Sequence, residues 1–487
     1  MPAVALIGTH HVQTPLVVDL DGTLIHTDML HESALKVFRD QPFSIFQIPL
    51  WLLQGKAVLK EKLARRLNFD ASTLPYNQPL LYWLQSQRAG GRPLILCTAS
   101  DQKIADAIAE HLQLFDEVIA SNGATNLSGP NKAKALIERF GAGGFDYAGN
   151  SWKDVPVWQQ SRQAVLVNAP AALGAKARQV SSVEHEFPAP VPGLLHWIKL
   201  LRAHQWLKNL LIFVPLLAAH EIGNTALWPT MVLAFMAFSL CASAVYITND
   251  LFDLESDRLH QRKRLRPFAS GVIPAWKGVL LVPPLLLAAL LLALQVGNVF
   301  VYWLGAYFVL TCAYSFGLKR LMLIDCLTLA MLYTLRIIAG AAAAGLEATF
   351  WLLAESIFLF LSLAFVKRYA ELHMSGQSGV QRAHGRGYYT SDAALIQTLG
   401  VTSGYIAVLV LAFYFNSEAI IGLYRTPVLV WTAIPFMLFW ISWMWMQASR
   451  GNMHDDPLVF AVKDRASLLA GFGFAMALVL AATGVPF

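Results

Sequence analysis

Charged residues are scarce in this sequence: Asp, Glu, Lys and Arg make up 14% of it, and 56% of the residues are hydrophobic. So few charges exclude an ordinary soluble protein. The four cysteines show neither metal-ligand spacing nor close pairs, so we expect small buried side chains rather than a zinc site or a disulfide framework. The first apolar stretch, residues 15–19, is too short for a signal peptide, so we expect the N-terminal part to stay in the cytoplasm.

The distribution of charge and hydropathy predicts an integral protein of the inner or plasma membrane, with two domains. The net charge of +6 could indicate nucleic-acid binding, but Lys and Arg lie in short loops between apolar runs. That pattern is typical of cytoplasmic loops in a multi-pass membrane protein, and we predict no nucleic-acid partner. We assign residues 1–190 to a soluble domain and residues 191–487 to an all-α membrane domain.

Nine apolar runs predict nine transmembrane helices, because most of them approach the ~20 residues that a bilayer requires. With the N-terminus inside, four basic loops face the cytoplasm, and the outer loops hold almost only Arg425. The runs cover residues 207–219, 228–248, 278–295, 298–316, 321–344, 350–366, 395–415, 426–447 and 467–486.

The N-terminal domain alternates short apolar runs with helical stretches, which predicts an α/β fold around a parallel sheet. A helical cap is expected over about residues 29–90, and a linker rich in Ser, Glu and Pro over residues 181–192. Residues 43–53 are unusually apolar for a surface and form either the core of the cap or a face on the membrane or the second domain. The strand candidates are residues 15–20, 93–97, 145–148 and 164–168.

The first strand candidate runs directly into Asp19-Leu-Asp21-Gly22-Thr23. Carboxylates at the carboxyl ends of parallel strands are where an α/β sheet binds its ligand. The run resembles the first motif of the haloacid dehalogenase (HAD) superfamily, whose fold is Rossmann-like. That resemblance implies that Asp19 is a nucleophile that forms an aspartyl-phosphate and that Asp21 is the general acid and base of a phosphatase.

Three further HAD motifs follow in the expected order. The resemblance implies that Thr98 and Lys132 bind phosphate, and that Asn150 and Asp154 join Asp19 and Asp21 around Mg²⁺. The fourth motif departs from the family pattern, because Gly149-Asn150 replaces Gly-Asp and one metal carboxylate has become an amide. The domain is therefore either an active phosphatase or a regulatory module that retains only the fold.

A second acidic run, Asn249 to Asp257, lies where an apolar helix meets a basic stretch. On a helix, Asn249, Asp250, Asp253 and Asp257 share one face, and stacked carboxylates repel one another unless a cation lies among them. Mg²⁺ prefers hard oxygen ligands and often shares them with substrate phosphates. The run therefore predicts a site for Mg²⁺ and a diphosphate. A purely structural acidic helix end is the alternative.

This run, followed by Arg266-Pro267, resembles the first signature of the UbiA prenyltransferase superfamily. Its aromatic prenyltransferases carry a second aspartate-rich motif after the sixth helix. Here the equivalent place has Lys367, Arg368 and Glu371, with Arg386 beyond. Two cations with one acid suit a phosphate monoester better than a second metal cluster. The pattern resembles the branch that includes decaprenyl-phosphate phosphoribosyltransferase.

That branch implies transfer of phosphoribose from phosphoribosyl pyrophosphate (PRPP) to a polyprenyl phosphate. The aspartates and Asn249 would then hold Mg²⁺ on the PRPP diphosphate, and Lys367, Arg368 and Glu371 would contact its sugar phosphate. Lys208 and the residues near Arg336 would hold the lipid phosphate. The other residues assigned to phosphate or substrate are Asn209, Arg266, Tyr314, Lys319 and Arg386.

The two chemistries together predict one chain that makes polyprenyl-phosphate-phosphoribose and then removes its 5′-phosphate. Three alternatives remain open. They are an aromatic prenyltransferase, a phosphoribosyltransferase with a catalytically silent HAD module, and a membrane-anchored binding protein without activity. Self-association into a homo-oligomer is also left open by the sequence.

Overall fold

The computed structural model describes residues 13–67, 69–377, 387–418, 422–453 and 456–484. The chain divides into two compact units. The first contains the residues up to Leu200 together with Ile247–Leu280, and the second contains Leu201–Tyr246 and Leu281–Phe487. Residues 247–280, which include the second acidic run, are therefore grouped with the N-terminal residues. The single boundary near residue 190 that was assigned from the sequence does not describe this grouping.

The first unit is built on a six-stranded parallel sheet with the order β3-β2-β1-β4-β5-β6. The central strand β1 pairs with β2 through Leu16 and Leu94 and with β4 through Leu16 and Asp146. The strands are β1 (Leu16–Val18), β2 (Leu94–Asp101), β3 (Glu117–Ser121), β4 (Asp146–Gly149), β5 (Gln163–Val167) and β6 (Ser182–Phe187).

This topology confirms the predicted α/β fold around a parallel sheet. The four predicted strands correspond to β1, β2, β4 and β5. Sequence analysis missed β3, and it placed β6 inside a linker, which is wrong for Ser182–Phe187 because these residues pair with β5. An edge strand that is exposed on most positions lacks the apolar run by which buried parallel strands are recognised.

Nine helices of four or more residues occur in the described part of the first unit before Leu200. Cap helices α1 to α3 follow β1 directly. They are α1 (Met29–Asp40), α2 (Ile48–Leu53), α3 (Lys56–Arg66), α4 (Gln78–Ala89), α5 (Gln102–Leu112), α6 (Pro130–Phe140), α7 (Val155–Trp158), α8 (Ala171–Val180) and α9 (Leu194–Leu200).

The apolar cap segment does not form a cap core over most of its large side chains. Phe43, Phe46 and Leu53 are exposed by 83%, 74% and 85%, whereas Trp51 is buried. The core interpretation is therefore wrong for these three side chains. The alternative, a face resting on another surface, stays a prediction.

Most of the remaining helices are long and apolar. In the part of the chain that the structure describes, eight helices have the length and hydropathy to cross a membrane. They correspond to eight of the nine predicted runs. The helices are α10 (Val214–Ala218), α11 (Trp228–Phe252), α12 (Leu254–Leu259), α13 (Ala275–Val296), α14 (Asn298–Phe316), α15 (Ile324–Ala344), α16 (Phe350–Gln377), α17 (Ala393–Phe415), α18 (Ala433–Ser449), α19 (Pro457–Lys463) and α20 (Arg465–Thr483).

The first run, residues 207–219, differs from the prediction of a regular transmembrane helix. It forms the 3-10 helix Ala203–Phe213 followed by the short α10. The segment packs tightly in the second unit, because a Cβ on Gly340 of α15 would lie 2.0 Å from the carbonyl oxygen of Ile212. Such close backbone contact replaces the regular hydrogen bonding of an isolated apolar helix as the source of its stability.

The cysteines are free, as predicted. Cys97, Cys241 and Cys326 are buried, and Cys312 is half-buried. Cys97 lies in β2, where burial raises the pKa of its thiol to about 12. A thiol with so high a pKa is an inert packing group rather than a nucleophile.

Candidate functional site

The two motif carboxylates lie together just beyond β1. Asp19 is 7% exposed and accepts a hydrogen bond from the Lys132 ammonium at 2.7 Å. Asp21 accepts hydrogen bonds from the Met29 amide and the Ser100 hydroxyl, both at 2.8 Å. The strand order brings these side chains together, because the ends of β1 and β2 are neighbours in the sheet.

Burial sets the protonation of both acids. It raises the pKa of Asp19 to about 6, although Lys132 opposes the shift. Burial and the nearby charges of Asp28 and Asp19 raise the pKa of Asp21 to about 7. Both carboxyl groups therefore keep their protons to a higher pH than an ordinary aspartic acid does, which suits a general acid at Asp21.

A buried chain of hydrogen bonds links Lys132 to the fourth motif. The Lys132 ammonium also donates to the Tyr147 hydroxyl at 2.8 Å, and that hydroxyl donates to Asp154 Oδ1 at 2.9 Å. The carboxylates of Asp19 and Asp154 raise the pKa of Lys132, so the ammonium stays charged despite burial. Tyr147 was missed in the sequence, because a tyrosine inside an apolar strand gives no sign of this contact.

Asp154 is held by the protein on both oxygens. Its Oδ2 accepts hydrogen bonds from the amides of Asn150 and Ser151 and from the Ser151 hydroxyl, at 3.1, 2.8 and 2.9 Å. These contacts use Asp154 to shape the loop, and its assignment as a metal ligand stays a prediction. Asn150 is the motif residue that lies against the first motif, because a Cβ on Gly22 would fall 2.0 Å from its Nδ2.

Thr98 and a lysine of the cap lie in the same region as the two carboxylates. Thr98 is fully buried, and its Oγ1 accepts a hydrogen bond from the Ser100 amide at 3.0 Å. Lys60, on cap helix α3, donates to the carbonyl of Ala99 at 2.5 Å and to Asn126 Oδ1 at 3.0 Å. Burial lowers the pKa of Lys60. No motif marks this lysine, so only the fold reveals that the cap places a cation beside the carboxylates.

The second acidic run is not one continuous helix. α11 ends at Phe252 and α12 starts at Leu254, although the Asp253 amide still bonds to the Asn249 carbonyl at 2.9 Å. Asp250 and Asp257 are 5% and 2% exposed, whereas Asn249 and Asp253 are half-buried. The predicted shared face is therefore preserved across a break in the helix.

A cation does lie among these carboxylates, and it is Arg266. Its Nη1 is 3.1 Å from Asp250 Oδ1 and 2.5 Å from Asp257 Oδ2. Burial raises the pKa of Asp257, and the arginine opposes that shift. Arg266 was predicted to contact substrate, but here it neutralises the two predicted metal ligands.

Both acidic regions have donors that fit Mg²⁺. Asp250 and Asp257 converge on one cationic nitrogen atom, so their oxygens can converge on a metal ion. Among the described residues, no three His, Cys, Asp or Glu side chains gather as a complete metal site. Mg²⁺ commonly uses one or two carboxylates and takes its other ligands from water and substrate phosphates, so this donor set is sufficient.

In the second unit, two predicted phosphate-binding lysines share one carboxylate. Lys208 and Lys367 lie 2.7 and 3.4 Å from Asp456 Oδ2. The two ammonium groups lower the pKa of Asp456 strongly, despite its burial. Tyr333 also donates to this carboxylate, at 3.4 Å. In the described part of the chain, these ion pairs join two cations to one anion, an arrangement that suits a phosphate.

Arg336 occupies a second polar cluster of the same unit. Its Nε donates to Asn209 Oδ1 at 2.8 Å, and its Nη2 donates to the Tyr307 hydroxyl at 3.0 Å. The Asn209 amide donates in turn to Ser239 at 3.0 Å. The side chain is 4% exposed, and these hydrogen-bond partners are neutral groups. Arg336 and Asn209 therefore form one buried cationic group, as their joint assignment to a phosphate requires.

Arg368 has different ion-pair partners from Lys367. It is fully buried and forms ion pairs with Asp325, at 2.6 Å, and with Glu371. Tyr388 donates to the same Asp325 at 2.5 Å. Consecutive residues of a helix point about 100° apart, and the two cations accordingly form ion pairs with different carboxylates. The assignment of Arg368 and Glu371 to a substrate phosphate stays a prediction.

Three further residues were assigned to substrate. Tyr314 lies near the end of α14, and Lys319 lies in the 3-10 helix Leu318–Arg320; both are half-buried. Arg386 lies outside the described residues. Their roles stay predictions.

Replacing Arg368 should therefore weaken the fold rather than substrate binding. Arg368→Gln leaves Asp325, which is fully buried, without its cation. We expect a loss of about 3–5 kcal/mol in the free energy of unfolding. The measurement is the midpoint temperature of thermal unfolding in detergent, which should be lower for the variant than for the wild-type protein. Lys367→Gln is the matched control, because Asp456 keeps Lys208; equal destabilisation by both variants would contradict this assignment.

Comparison with known proteins gives a consistent set of relatives. Residues 210–463 match the UbiA prenyltransferase family. Uncharacterized protein y4nM of Sinorhizobium fredii is 37% identical over 96% of this chain and 91% of its own length. Decaprenyl-phosphate phosphoribosyltransferase of Mycolicibacterium smegmatis is 31% identical over 55% of this chain and 86% of its own length. A solved UbiA homolog from Archaeoglobus fulgidus, bound to DMAPP and Mg²⁺, aligns with a TM-score of 0.46 and 19% identity, over 58% of this chain and 100% of its own.

Proposed function

Since this chain belongs to the UbiA prenyltransferase family, we propose that its membrane part transfers phosphoribose from PRPP to a polyprenyl phosphate. One observation carries the choice of substrate. Where an aromatic prenyltransferase would present a second aspartate cluster, this chain has Lys367, which joins Lys208 at Asp456. A positive cluster binds the phosphate of a sugar or a lipid and would repel a second metal ion. The named relative from Mycolicibacterium smegmatis supports the same reaction.

In the proposed reaction, the PRPP diphosphate binds at the acidic run. Asp250, Asp253 and Asp257, with Asn249, would hold Mg²⁺, which when bound neutralises charge on the departing pyrophosphate. Arg266 would exchange its two carboxylates for phosphate oxygens, to which a guanidinium binds in the same forked manner. The C1–oxygen bond to pyrophosphate breaks while C1 becomes oxocarbenium-like.

The lipid phosphate supplies the nucleophile. One of its oxygens forms the new bond to C1, and inorganic pyrophosphate leaves. Two phosphates remain to be bound, that of the sugar and that of the lipid. Lys208 and Lys367 would bind one of these two phosphates, and the Arg336–Asn209 pair would bind the other one. The attacking oxygen is already an anion, so no dedicated base is needed.

The first unit would then remove the 5′-phosphate. Asp19 attacks phosphorus to form an aspartyl-phosphate while Asp21 gives its proton to the departing ribose oxygen, and water then releases the phosphate. Lys132 holds the nucleophile, and Thr98 and Lys132 would bind phosphate oxygens. Asn150 would offer Mg²⁺ its amide oxygen in place of a carboxylate, as Asp19 offers its own. The product is polyprenyl-phosphate-ribose.

We place this chemistry on the cytoplasmic side, since the basic loops define that side. The 3-10 helix Ala203–Phe213 and α10 together rise about 30 Å, which equals the thickness of the hydrocarbon core. A ninth crossing by this segment would keep the basic loop after α12 on the same side as the N-terminal sheet.

A direct test uses the purified full chain in lipid nanodiscs with PRPP, Mg²⁺ and a polyprenyl phosphate. Mass spectrometry should detect polyprenyl-phosphate-ribose, inorganic phosphate and pyrophosphate. Prenylation of an aromatic acid by a prenyl diphosphate, without reaction of PRPP, would overturn the proposal. Accumulation of the phosphorylated product alone would leave the transferase and remove the phosphatase role.

The raised pKa of Asp21 predicts a pH dependence of phosphate release. Below about pH 7 this carboxyl keeps the proton that a poor alkoxide leaving group needs, and above pH 7 it loses that proton. We therefore expect hydrolysis of an alkyl phosphate to fall about tenfold per pH unit above that value. Hydrolysis of p-nitrophenyl phosphate, whose leaving group needs no acid, should fall less. Parallel profiles for the two substrates would contradict this role.

A further inference from the structure

An exposed apolar stripe runs along the cap segment. It consists of Phe43, Phe46, Leu50 and Leu53, which are 83%, 74%, 58% and 85% exposed. Their spacing of three and four residues places them on one side of the helical segment formed by the 3-10 helix Pro42–Phe46 and α2. Four large apolar side chains in one exposed row are unusual for a surface in contact with water.

The stripe is followed at once by a basic helix. The exposed cations of α3 are Lys56, Lys62, Arg65 and Arg66, and its single acid, Glu61, pairs with Arg65 at 2.5 Å. Arg66 also stacks over Trp51 at 4.3 Å, which ties the basic helix to the apolar one. Phe and Leu side chains beside Lys and Arg match a membrane interface, where the apolar groups enter and the cations bind anionic headgroups.

We propose that the stripe lies in the headgroup region of an anionic bilayer. A bilayer is the surface proposed to cover the stripe, because eight helices of the same polypeptide can span a membrane and thereby anchor the chain to it. Contact with the membrane surface would also bring the phosphatase cap to the level at which a lipid-linked sugar presents its phosphate. The placement of the cap near a lipid-linked sugar rests on the proposed function, but the contact of the stripe with the bilayer does not.

Fluorescence quenching by lipids tests the contact directly. An environment-sensitive probe is attached to Phe46→Cys in the full chain, reconstituted in nanodiscs with anionic and zwitterionic lipids, and labelled wild-type protein gives the background. Spin-labelled lipids should quench this probe several-fold more than one at Tyr82→Cys, which is 66% exposed on α4. Quenching should weaken without anionic lipid. Equal quenching at both positions, or shielding from iodide without lipid quenching, would overturn the proposal, and the latter would indicate a protein surface.

A different set of contacts joins the cap to the acidic run. Arg258 of α12 donates to both oxygens of Glu32 of α1, at 2.9 and 2.5 Å, and the two side chains are 8% and 13% exposed. Lys36 of α1 pairs with Glu255 of α12 at 2.8 Å. Both helices belong to the first compact unit. A buried bidentate pair fixes geometry more firmly than a surface ion pair does.

These contacts connect the immediate neighbours of both sites. α1 begins at Met29, whose amide bonds to Asp21, and Arg258 follows Asp257 in the chain. Arg258 Nε also donates to the carbonyl of Ala269, at 3.1 Å, in the loop after Arg266. That loop approaches the first motif so closely that a Cβ on Gly271, whose φ is +74°, would lie 2.4 Å from the Cβ of His26.

We infer that Glu32 and Arg258 are positioning residues of the transferase: the phosphatase cap holds α12 so that Asp257 stays opposed to Asp250. This inference rests on the proposed transfer reaction. It makes the phosphatase fold necessary for transfer, independently of phosphatase chemistry.

A charge-reversal cycle tests this inference in the full chain. Glu32→Gln should lower the rate of PRPP-dependent transfer at least tenfold and raise the KM for PRPP, whereas Glu117→Gln, at an exposed ion pair of the same unit, should have no effect. Glu32→Arg combined with Arg258→Glu should recover much of the loss. Hydrogen exchange in α12 should accelerate in Glu32→Gln. If the wild-type protein catalyses transfer and Glu32→Gln has the same kinetics, the positioning role is refuted. If the wild-type protein catalyses no transfer, the proposed function is refuted instead.

Discussion

In the proposed two-step reaction, Asp19→Asn should change the product from polyprenyl-phosphate-ribose to its 5′-phosphorylated precursor. The amide keeps the size and the hydrogen bond to Lys132 but cannot attack phosphorus. Loss of a nucleophile commonly lowers a rate by roughly 10³-fold or more. Transfer from PRPP should continue at the wild-type rate, because Asp19 is not among the residues assigned to that reaction.

The measurement is mass spectrometry of the extracted lipid after incubation with PRPP, Mg²⁺ and polyprenyl phosphate. Asp106→Asn is the control, since it removes one carboxylate from an exposed position of the same unit. An Asp19→Asn protein that still released phosphate would exclude the aspartyl-phosphate route. A wild-type protein that never released it would identify the first unit as catalytically silent.

Asp250→Asn should abolish transfer while phosphate release is retained. Asp250 is buried, and it meets Asp257 at the single guanidinium of Arg266, so its loss removes one of two convergent oxygen donors. Loss of several kcal/mol of charge stabilisation on the leaving pyrophosphate corresponds to about 10³-fold in rate. Partial recovery at high Mg²⁺ is expected, because a weakened ligand set still binds the ion at a higher concentration.

Release of pyrophosphate from PRPP would report transfer, and hydrolysis of p-nitrophenyl phosphate would report the other unit in the same preparation. Glu347→Gln, at an exposed position of the second unit, is the matched control. Transfer by Asp250→Asn at more than a tenth of the wild-type rate would contradict a role in metal and diphosphate binding. Loss of both activities together would point to misfolding.

The fold was largely predictable because its signals are local. Apolar runs bounded by turns marked β1, β2, β4 and β5, and hydropathy marked eight spanning helices. β3 and β6 escaped because partly exposed strands carry no continuous apolar run. The segment of residues 207–219 was recognised as apolar, but its 3-10 backbone depends on packing against α15 and leaves no mark in composition.

The candidate site was predictable as two sets of carboxylates, and less so as sets of cations. Asp19 and Asp21 meet because they are two residues apart, and Asp250 and Asp257 because helical spacing aligns them. Lys367 and Arg368 form ion pairs with different carboxylates, Asp456 and Asp325, which their adjacency in the sequence did not indicate. Asp456, which gathers Lys208 and Lys367, lies about 250 and 90 residues from them in sequence, respectively.

The sequence by itself predicted two phosphate chemistries and a membrane domain, because motif spacing and hydropathy are properties of neighbouring residues. Only the tertiary structure decided which carboxylate each cation meets. Arg368 pairs with Asp325, whereas Lys208 and Lys367 share Asp456. The tertiary structure also decided that the acidic run is grouped with the N-terminal cap, through Glu32 and Arg258. The reason is physical: an ion pair forms where the fold brings side chains within a few ångströms, whatever their separation along the chain.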